Sequence, residues 1–261
     1  IEGQDIRRSY SICAGRDDGV LQVGIKHVDG GAFSTWANSE IKIGDYIDAL
    51  PPMGKFHTNL SADHQKHYLC FAGGSGITPI LSIIKTTLAA EPLARITLIY
   101  ANRRINTIMF REELEDLKNS HIGRLNILHI LEDDAQEIDL FTGRLDREKL
   151  SALFQNWIRV ADMDTVFICG PEPMMLTISE SLVSHGMEKS DIKFELFASS
   201  QPGRLDRKHR PETRSATVKT TQAAVTVDGA TRSFDMSRDM SILEAALAND
   251  LDAPFACKAG V

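Results

Sequence analysis

A glycine-rich turn, AGGSGITP, lies between a short apolar run and an amphipathic segment. Such a turn between a strand and a helix presents backbone N–H groups to a pyrophosphate, and the helix dipole favours the anion. Gly74 and Gly76 would let the backbone approach this ligand closely. Thr78 would cap the helix, and Pro79 would suit its first turn. The spacing departs from GxGxxG, so the alternative is a tight strand–helix turn without a ligand.

The next apolar run ends in Asn102-Arg103-Arg104, with no carboxylate close by in the sequence. In NAD sites an acidic residue near the end of this strand binds the ribose hydroxyls, whereas paired guanidinium groups suit a 2′-phosphate. We therefore expect NADPH rather than NADH, with Arg103 and Arg104 at the 2′-phosphate. Solvated loop charge is the alternative for both arginines.

A third loop, CGPEPMM, contributes Cys169, Gly170, Pro171 and Met174. Gly170 would allow close approach of a ligand, and Pro171 would begin the following helix. Cys169 would lie near the nicotinamide, with a packed thiol at the end of a strand as the alternative.

All three loops follow strands in a regular alternation of strands and helices. The pattern predicts strands over 67–74, 95–103, 125–132, 164–170 and 191–197, and helices over 78–91, 107–118, 145–157 and 171–186. Short connections between such elements indicate a parallel sheet covered on both faces, with ligands beyond the carboxyl ends of its strands. We predict a doubly wound α/β nucleotide-binding domain over residues 63–198.

The flanking regions have different patterns. Residues 1–62 carry the β-rich runs RRSYSICAG, LQVGIKHV and DYIDALPPM, which predict strands of an incomplete barrel or sandwich. Residues 199–218 are rich in Arg, Ser, Thr and Pro and indicate a linker, with a docking patch as the alternative. In residues 219–261, AAVTVDGATRSFDM predicts a hairpin, and Ser241 and Glu244 form a capping box before a helix.

Composition narrows the classes of partner. The 261 residues have a net charge of −7, which gives no support to a nucleic-acid or anionic-membrane partner. No apolar run approaches the roughly 20 residues of a membrane helix. Four scattered cysteines favour a reducing, cytoplasmic compartment. Because the sequence starts at Ile1 and stops four residues after Cys257, we expect a piece of a longer protein.

The stretch Arg8-Ser9-Tyr10-Ser11 resembles the R-x-Y-S flavin motif of the ferredoxin–NADP reductase superfamily. The resemblance implies that Arg8 pairs with a phosphate of FAD, that Tyr10 packs on the isoalloxazine, and that Ser11 reaches the ring edge near N5. Ordinary core packing is the alternative for Tyr10.

Further motifs of the superfamily follow in the expected order. HVDGGAFSTWA resembles its second flavin-phosphate segment, with Gly30, Gly31 and Ser34 at the matching positions, and PPMGKF, with Gly54, resembles the turn before the nucleotide domain. The same resemblance implies that four residues lie around the reacting rings: Ser11, Thr78, Glu195 and Phe197.

The final stretch, SILEAALANDLDAPFACKAGV, resembles the first part of a plant-type [2Fe–2S] ferredoxin. Cluster ligands there begin C-x4-C-x2-C, and Cys257 matches the first of them. Reductases of multicomponent oxygenases contain, in this order, a barrel, a nucleotide domain and a C-terminal β-grasp ferredoxin. The resemblance therefore implies an electron-transfer component that works with a di-iron oxygenase, an epoxidase above all.

Two other functions remain open. The chain could serve another oxygenase, such as an aromatic-ring or steroid hydroxylase. It could also be a nucleotide-binding protein without turnover, which would bind NADPH but not reduce flavin. No Ser–His–Asp or zinc signature favours a different chemistry.

Overall fold

The computed structural model describes residues 6, 8–197, 220–227, 230–237, 242 and 245. It separates into two units, Ile1–Phe197 and Ala198–Val261. In chain order the helices are α1 (Ala32–Ser39), α2 (Ile77–Ala90), α3 (Arg111–Ser120), α4 (Arg147–Asn156) and α5 (Glu172–Ser184). The strands are β1 (His67–Gly73), β2 (Arg95–Asn102), β3 (Leu125–Leu131), β4 (Thr165–Cys169), β5 (Ile192–Glu195), β6 (Thr220–Val227) and β7 (Ala230–Ser237).

The first unit is built on a parallel sheet with the strand order β3-β2-β1-β4-β5. Successive side chains of β1 point to opposite faces, so Tyr68 and Cys70 join one apolar layer while Leu69 and Phe71 join the other. Helices α2 and α3 cover the first layer, and α4 and α5 cover the second. The doubly wound α/β prediction is confirmed.

The strand order reverses at β1, because β2 pairs with one edge of β1 and β4 pairs with the other. A crevice opens at such a point, beyond the carboxyl ends of the strands. The three loops singled out in the sequence all follow β1, β2 or β4.

The structure corrects the prediction of strands before residue 62. In the described part of that region, the pairing is a single antiparallel bridge between Ile12 and Val23, and AFSTWANS forms α1. A strand is stabilised by a paired neighbour and by a layer packed against its face. Ile43 and Tyr46 instead have fully exposed side chains. Their apolar pattern therefore does not produce a strand here.

Two predicted helix starts also shift. The second helix begins at Arg111 rather than at residue 107, because Phe110 takes a left-handed conformation (φ 56°) and breaks the helical path. Thr78 does not cap α2, since Gly76 occupies the N-cap and no side chain caps this end. The Thr78 hydroxyl instead donates to the Ser75 carbonyl at 3.1 Å.

A fully buried carboxylate, Glu91, connects the segment before β1 to the end of α2. It accepts hydrogen bonds from the Ser61 N–H at 3.0 Å and the Tyr68 hydroxyl at 2.8 Å, and it lies 2.7 Å from Nδ1 of His64. The Arg124 guanidinium donates to the Glu91 carbonyl at 2.6 Å. These bonds compensate the cost of burying the carboxylate.

The second unit contains the predicted hairpin, in which β6 pairs antiparallel with β7 from Thr220↔Ser237 to Val227↔Ala230. Ile242 and Ala245 are helical, in agreement with the helix predicted there. The capping box, the 199–218 linker and Cys257 lie outside the described residues.

Two kinds of feature are absent from the described residues. None of the helices in that part of the chain is long and apolar enough to cross a membrane. Within the same residues, no three His, Cys, Asp or Glu side chains are grouped so that they could hold a metal ion. Cys257 does not belong to these residues, so its predicted role as a cluster ligand stays a prediction.

Candidate functional site

The glycine-rich turn after β1 forms the floor of the crevice. Gly74 has φ 53°, a conformation that suits glycine, and its position faces open space except for Lys26. A Cβ at Gly76 would overlap the carbonyl of Cys169, so only glycine fits where this turn meets the end of β4. The buried Tyr100 hydroxyl on β2 donates to the Gly74 carbonyl at 3.0 Å and so holds the turn against the sheet.

The start of α2 lies against residues 11–24, called the 11–24 loop from here on. Thr78 is almost fully buried, and its Cγ2 lies 2.9 Å from the position of a Cβ built on Gly24. Pro79 is buried in the first turn. Thr78 therefore contacts the predicted flavin region through its methyl group, while its hydroxyl is bonded to the turn.

A hydrogen bond joins the 11–24 loop to the end of the sheet. The Ser11 hydroxyl donates to Oε2 of Glu195 at 3.0 Å, across 184 residues of sequence. Burial raises the pKa of the Glu195 carboxyl, and the bond from Ser11 partly offsets that rise by favouring the charged form. The structure thus brings together two of the four residues predicted around the reacting rings.

Cys169, the last residue of β4, pairs in register with Glu195 on β5. Its thiol is fully buried, and burial, with a smaller contribution from the Glu195 charge, raises its pKa far above the ordinary value. Cys169 is therefore a protonated thiol and not a nucleophile.

The loop after Cys169 is closely packed. Cε of Met174 lies 2.5 Å from a Cβ built on Gly170 and 2.8 Å from one built on Gly73, so both glycines admit this side chain. Pro171 occupies the N-cap of α5. Met174 contacts the ends of β1 and β4 together.

Two aromatic side chains pack against the apolar layer on the α2 face of the sheet. Phe197, two residues after Glu195, is half-buried and packs against the core on the α2 face. Phe56, beyond the positive-φ residue Gly54, packs edge-on against Phe167 of β4 with ring centroids 5.4 Å apart. The PPMGKF turn thereby attaches the N-terminal region to the sheet.

The predicted flavin-phosphate segment forms the start of α1. Gly30 has φ 73°, and Gly31 is the N-cap with no side-chain cap bond and no acidic residue in the first turn. The first N–H groups of such a helix are available to an anion. The buried Ser34 hydroxyl accepts from the Val28 N–H at 3.2 Å, so Ser34 would face a phosphate through its backbone N–H and not through its hydroxyl.

Tyr10 lies beside this helix. Its ring packs against Phe33 with centroids 5.4 Å apart, and Phe33 packs in turn on Trp36 at 5.6 Å. Burial raises the pKa of Tyr10, and the positive charge of Arg8 opposes that rise. Arg8 and Tyr10 therefore combine a guanidinium with an aromatic surface near the α1 N-terminus.

The arginines after β2 have a carboxylate beside them. Oδ2 of Asp133, which follows β3, lies 3.3 Å from Nε of Arg104 and 3.6 Å from a terminal nitrogen of Arg103. The Asp133 N–H also donates to the Arg103 carbonyl at 2.8 Å. No carboxylate is close to these arginines in the sequence, but parallel pairing brings the residues after β2 and β3 together and places Asp133 beside them. Asp133 can be identified only once β3 is known to pair with β2, because it follows β3.

Two observations show that the crevice fits a nicotinamide dinucleotide. Asn102, at the end of β2, has a buried Nδ2 without a hydrogen-bond partner. The Tyr100 hydroxyl is a polar neighbour of this amide, and a bound ligand would supply a further partner. Nζ of Lys26 lies 3.8 Å from a Cβ built on Gly74, which places a positive charge above the phosphate turn. Lys26 was missed in the sequence, because nothing in LQVGIKHV relates it to a turn 48 residues later.

Comparisons with known proteins agree with this geometry. Residues 1–58 match the oxidoreductase FAD-binding domain, and residues 71–180 match the oxidoreductase NAD-binding domain. One subunit of the 1,2-phenylacetyl-CoA epoxidase from Escherichia coli K12 is 40% identical over 263 residues, which cover 100% of this chain and 72% of that protein. The ferredoxin reductase component of 3-ketosteroid-9-alpha-monooxygenase from Mycobacterium tuberculosis is 32% identical, covering 98% and 67%.

Solved structures show the same fold. An Amycolatopsis cytochrome P450 reductase superposes with a TM-score of 0.65 at 23% identity, covering 76% of this chain and 59% of that one. The FAD/NAD-binding domain of a Vibrio cholerae nitric oxide dioxygenase superposes with a TM-score of 0.62 at 23% identity, covering 75% and 80%. At this identity the likeness concerns the fold alone.

Proposed function

Because the chain belongs to the family of oxidoreductases that join an FAD-binding domain to an NAD-binding domain, within the ferredoxin–NADP reductase superfamily, we propose that it passes electrons from NADPH through FAD and a [2Fe–2S] cluster to an oxygenase. The matched domains make it an oxidoreductase. Residues 1–62 would form the last part of the FAD barrel, 63–198 the nucleotide domain, 199–218 a linker and 219–261 the start of a ferredoxin domain.

The observation that carries the proposal is the bond between Ser11 and Glu195. In this bond, a hydroxyl from the predicted flavin motif donates to a carboxylate at the carboxyl edge of the nucleotide-binding sheet. Thr78, in the first turn of α2 directly after the glycine-rich turn, and Cys169, the last residue of β4, lie at the same edge.

The residues present fit both groups. FAD would be held by Arg8, Tyr10 and the first N–H groups of α1, whose first turn carries no acidic side chain. The dinucleotide would lie over Gly74 and Gly76, with Lys26 at its pyrophosphate. Bound there, NADPH and FAD supply a hydride transfer followed by single-electron transfers.

The protein's own groups position and protect these rings. Ser11 would hold the flavin edge while its hydroxyl remains bonded to Glu195. Glu195, whose pKa is raised by burial, can carry a proton next to that hydroxyl. Cys169 stays protonated and contributes an uncharged contact surface. Phe197 would cover the ring and exclude water.

For the coenzyme we propose NADPH. Two guanidinium groups, on Arg103 and Arg104, flank the single carboxylate of Asp133, while the Asp134 carboxylate accepts the Ile105 N–H at 2.7 Å, so a guanidinium would be available to a 2′-phosphate. Both arginine side chains are mostly exposed and can turn toward a ligand. Asp133 would reduce the preference without abolishing it.

For the electron acceptor we propose the di-iron oxygenase of phenylacetyl-CoA epoxidation. The support is the 40% identity to a component of that epoxidase over the whole chain. The 3-ketosteroid-9-alpha-monooxygenase component, at 32%, favours a steroid oxygenase as the second candidate. Cys257 would be the first ligand of the cluster, on the spacing of the sequence alone.

The free thiols of Cys13, Cys70 and Cys169 support a reducing, cytoplasmic location.

The deciding experiment is anaerobic reduction of the FAD-loaded protein. NADPH should bleach the flavin absorption rapidly, and NADH should do so more slowly. The reduced protein should then reduce a purified phenylacetyl-CoA epoxidase oxygenase faster than a steroid oxygenase. Flavin that binds but is reduced by neither coenzyme would overturn the proposal in favour of a protein that only binds nucleotides, and equal transfer to both oxygenases would remove the epoxidase assignment.

A further inference from the structure

Lys85 joins three elements of the first unit. Its Nζ lies 2.9 Å from a carboxylate oxygen of Asp18, in the 11–24 loop, and it also contacts the Glu113 carboxylate on α3. The Lys85 side chain is only 12% exposed, so this ion pair is screened less than a surface pair. Lys85 itself belongs to α2.

The pairing keeps Lys85 charged. Burial would lower the pKa of Lys85, but hydrogen bonds to Glu113 and Asp18 outweigh burial and raise it. Asp18 also accepts the Gly15 N–H at 2.9 Å, and its pKa is lowered mainly by the bond from Lys85. The contact therefore holds at every pH at which both groups are ionised.

A second contact joins the same three elements two helical turns away. A Cβ built on Gly24, in the 11–24 loop, would lie 2.8 Å from the ring of Phe110 and 2.9 Å from Thr78 of α2. Phe110 is the left-handed N-cap of α3. Thr78 and Lys85 are seven residues apart, which is about 10 Å along the helix at 1.5 Å per residue.

Two further hydrogen bonds attach the 11–24 loop to α2, one between these two contacts and one directly after Lys85. The Ser82 hydroxyl donates to the Ala14 carbonyl at 2.7 Å, and the Arg16 N–H donates to the Thr86 hydroxyl at 3.0 Å. A single face of α2 therefore runs along the loop that begins with Ser11. The phosphate turn is at the amino end of the same helix.

We propose that Lys85 is a positioning residue for hydride transfer: by pairing with Asp18 it fixes the 11–24 loop on α2 and so sets the distance between the flavin edge at Ser11 and the nicotinamide site at Thr78. This inference rests on the proposed function. Lys85 is paired with Asp18 and Glu113 and would act through the loop that it holds. Small displacements of reacting groups reduce rates by large factors, about 100-fold for 1 Å.

Two variants test separately the contact of Lys85 with Asp18 in the 11–24 loop and its contact with Glu113 on α3. Asp18→Asn removes the charge that pairs Lys85 with the 11–24 loop, and its amide oxygen can still accept the Gly15 N–H. Glu113→Gln removes only the charge between α2 and α3. Lys85→Met removes both contacts at nearly constant side-chain volume, and Lys85→Arg keeps the charge.

The measurement is stopped-flow reduction of the FAD-loaded protein by NADPH and by NADPH deuterated at the transferred position. We expect Lys85→Met and Asp18→Asn to lower the rate constant about tenfold or more and to increase the isotope effect, with the KM for NADPH within about twofold of wild type. Glu113→Gln should stay near the wild-type rate, and Lys85→Arg should recover most of it.

The outcomes are distinguishable. A wild-type protein that is not reduced by either coenzyme contradicts the proposed function and not the role of Lys85. If wild type is reduced and Lys85→Met loses thermal stability while its rate per bound flavin is unchanged, Lys85 is only structural and the inference is overturned. Equal rate losses in Glu113→Gln and Asp18→Asn would overturn it as well.

Discussion

The Ser11 hydroxyl donates a hydrogen bond to Glu195 at 3.0 Å, although 184 residues separate them. This bond connects the loop before the sheet to the last strand of the sheet. The Glu195 carboxylate is partly buried. The hydroxyl of Ser11 therefore affects its pKa more strongly than it would affect the pKa of an exposed carboxylate.

Ser11→Ala should slow hydride transfer and move its pH dependence. The rate should fall about 10- to 100-fold, the equivalent of the roughly 1.5–3 kcal/mol of a hydrogen bond to a charged group, while NADPH binding stays nearly intact. Loss of the bond raises the pKa of Glu195 further, so the limb of the pH–rate profile that reports Glu195 should shift to higher pH. Stopped-flow reduction from about pH 5 to about pH 9 measures both effects. An unchanged rate would remove Ser11 from the site.

Lys26→Met should weaken NADPH and NADH equally. Its ammonium group lies near the phosphate turn at Gly74, and both coenzymes carry the same pyrophosphate. We expect Kd to rise about 10- to 100-fold for each, by the loss of one charge-assisted contact. Titration calorimetry measures the two constants. Lys42→Met, an exposed lysine outside the crevice, is the control. A loss confined to NADPH would place Lys26 at the 2′-phosphate instead.

Asp133→Asn should increase the preference for NADPH. The variant frees Arg103 and Arg104 from a competing carboxylate, so Kd for NADPH should fall about threefold or more while Kd for NADH stays constant or rises. Arg103→Ala should do the reverse, with a much larger loss for NADPH than for NADH. Asp116→Asn, on the exposed face of α3, is the charge-matched control. Equal changes for both coenzymes would contradict a 2′-phosphate site here.

His129→Leu should reduce the acid sensitivity of folding. Burial lowers the pKa of His129 below its ordinary value of 6.5, and Nδ1 of this histidine has no hydrogen-bond partner. The unfolded chain therefore binds a proton that the folded chain resists, and stability falls as pH drops from 6.5 toward the lowered pKa. Urea unfolding at about pH 7.5 and about pH 5.5 should show a smaller difference for His129→Leu than for wild type. His57→Gln, at an exposed position, should behave as wild type does.

Much of the α/β unit follows from local patterns. The residues Ile80, Leu81, Ile84 and Leu88 share one face of a helical period, and all four are buried in the structure. The strands over HYLCFAG and TVFIC are continuous apolar runs, which buried parallel strands require. Local periodicity is enough in these cases because each element buries the face that its own sequence defines.

Contacts between distant segments were harder to predict. Nothing in the sequence around Arg103 indicates that Asp133 lies beside it, because the contact depends on which strand pairs with β2. The strands predicted near Ile43 and Tyr46 failed for a related reason, since strand propensity is realised only against a neighbour. Phe110 was missed as a helix boundary because a left-handed phenylalanine is rare and has no sequence signature.

The buried carboxylate of Glu91 has one more consequence. Ser61, His64 and Tyr68 all form hydrogen bonds with it, so the stretch that leads from the N-terminal region into β1 is anchored to the end of α2 and is not a free hinge. Opening that stretch would remove hydrogen bonds from a buried carboxyl group, which costs more than bending an ordinary loop. We therefore expect the spacing between the N-terminal region and the sheet to be set when the chain folds.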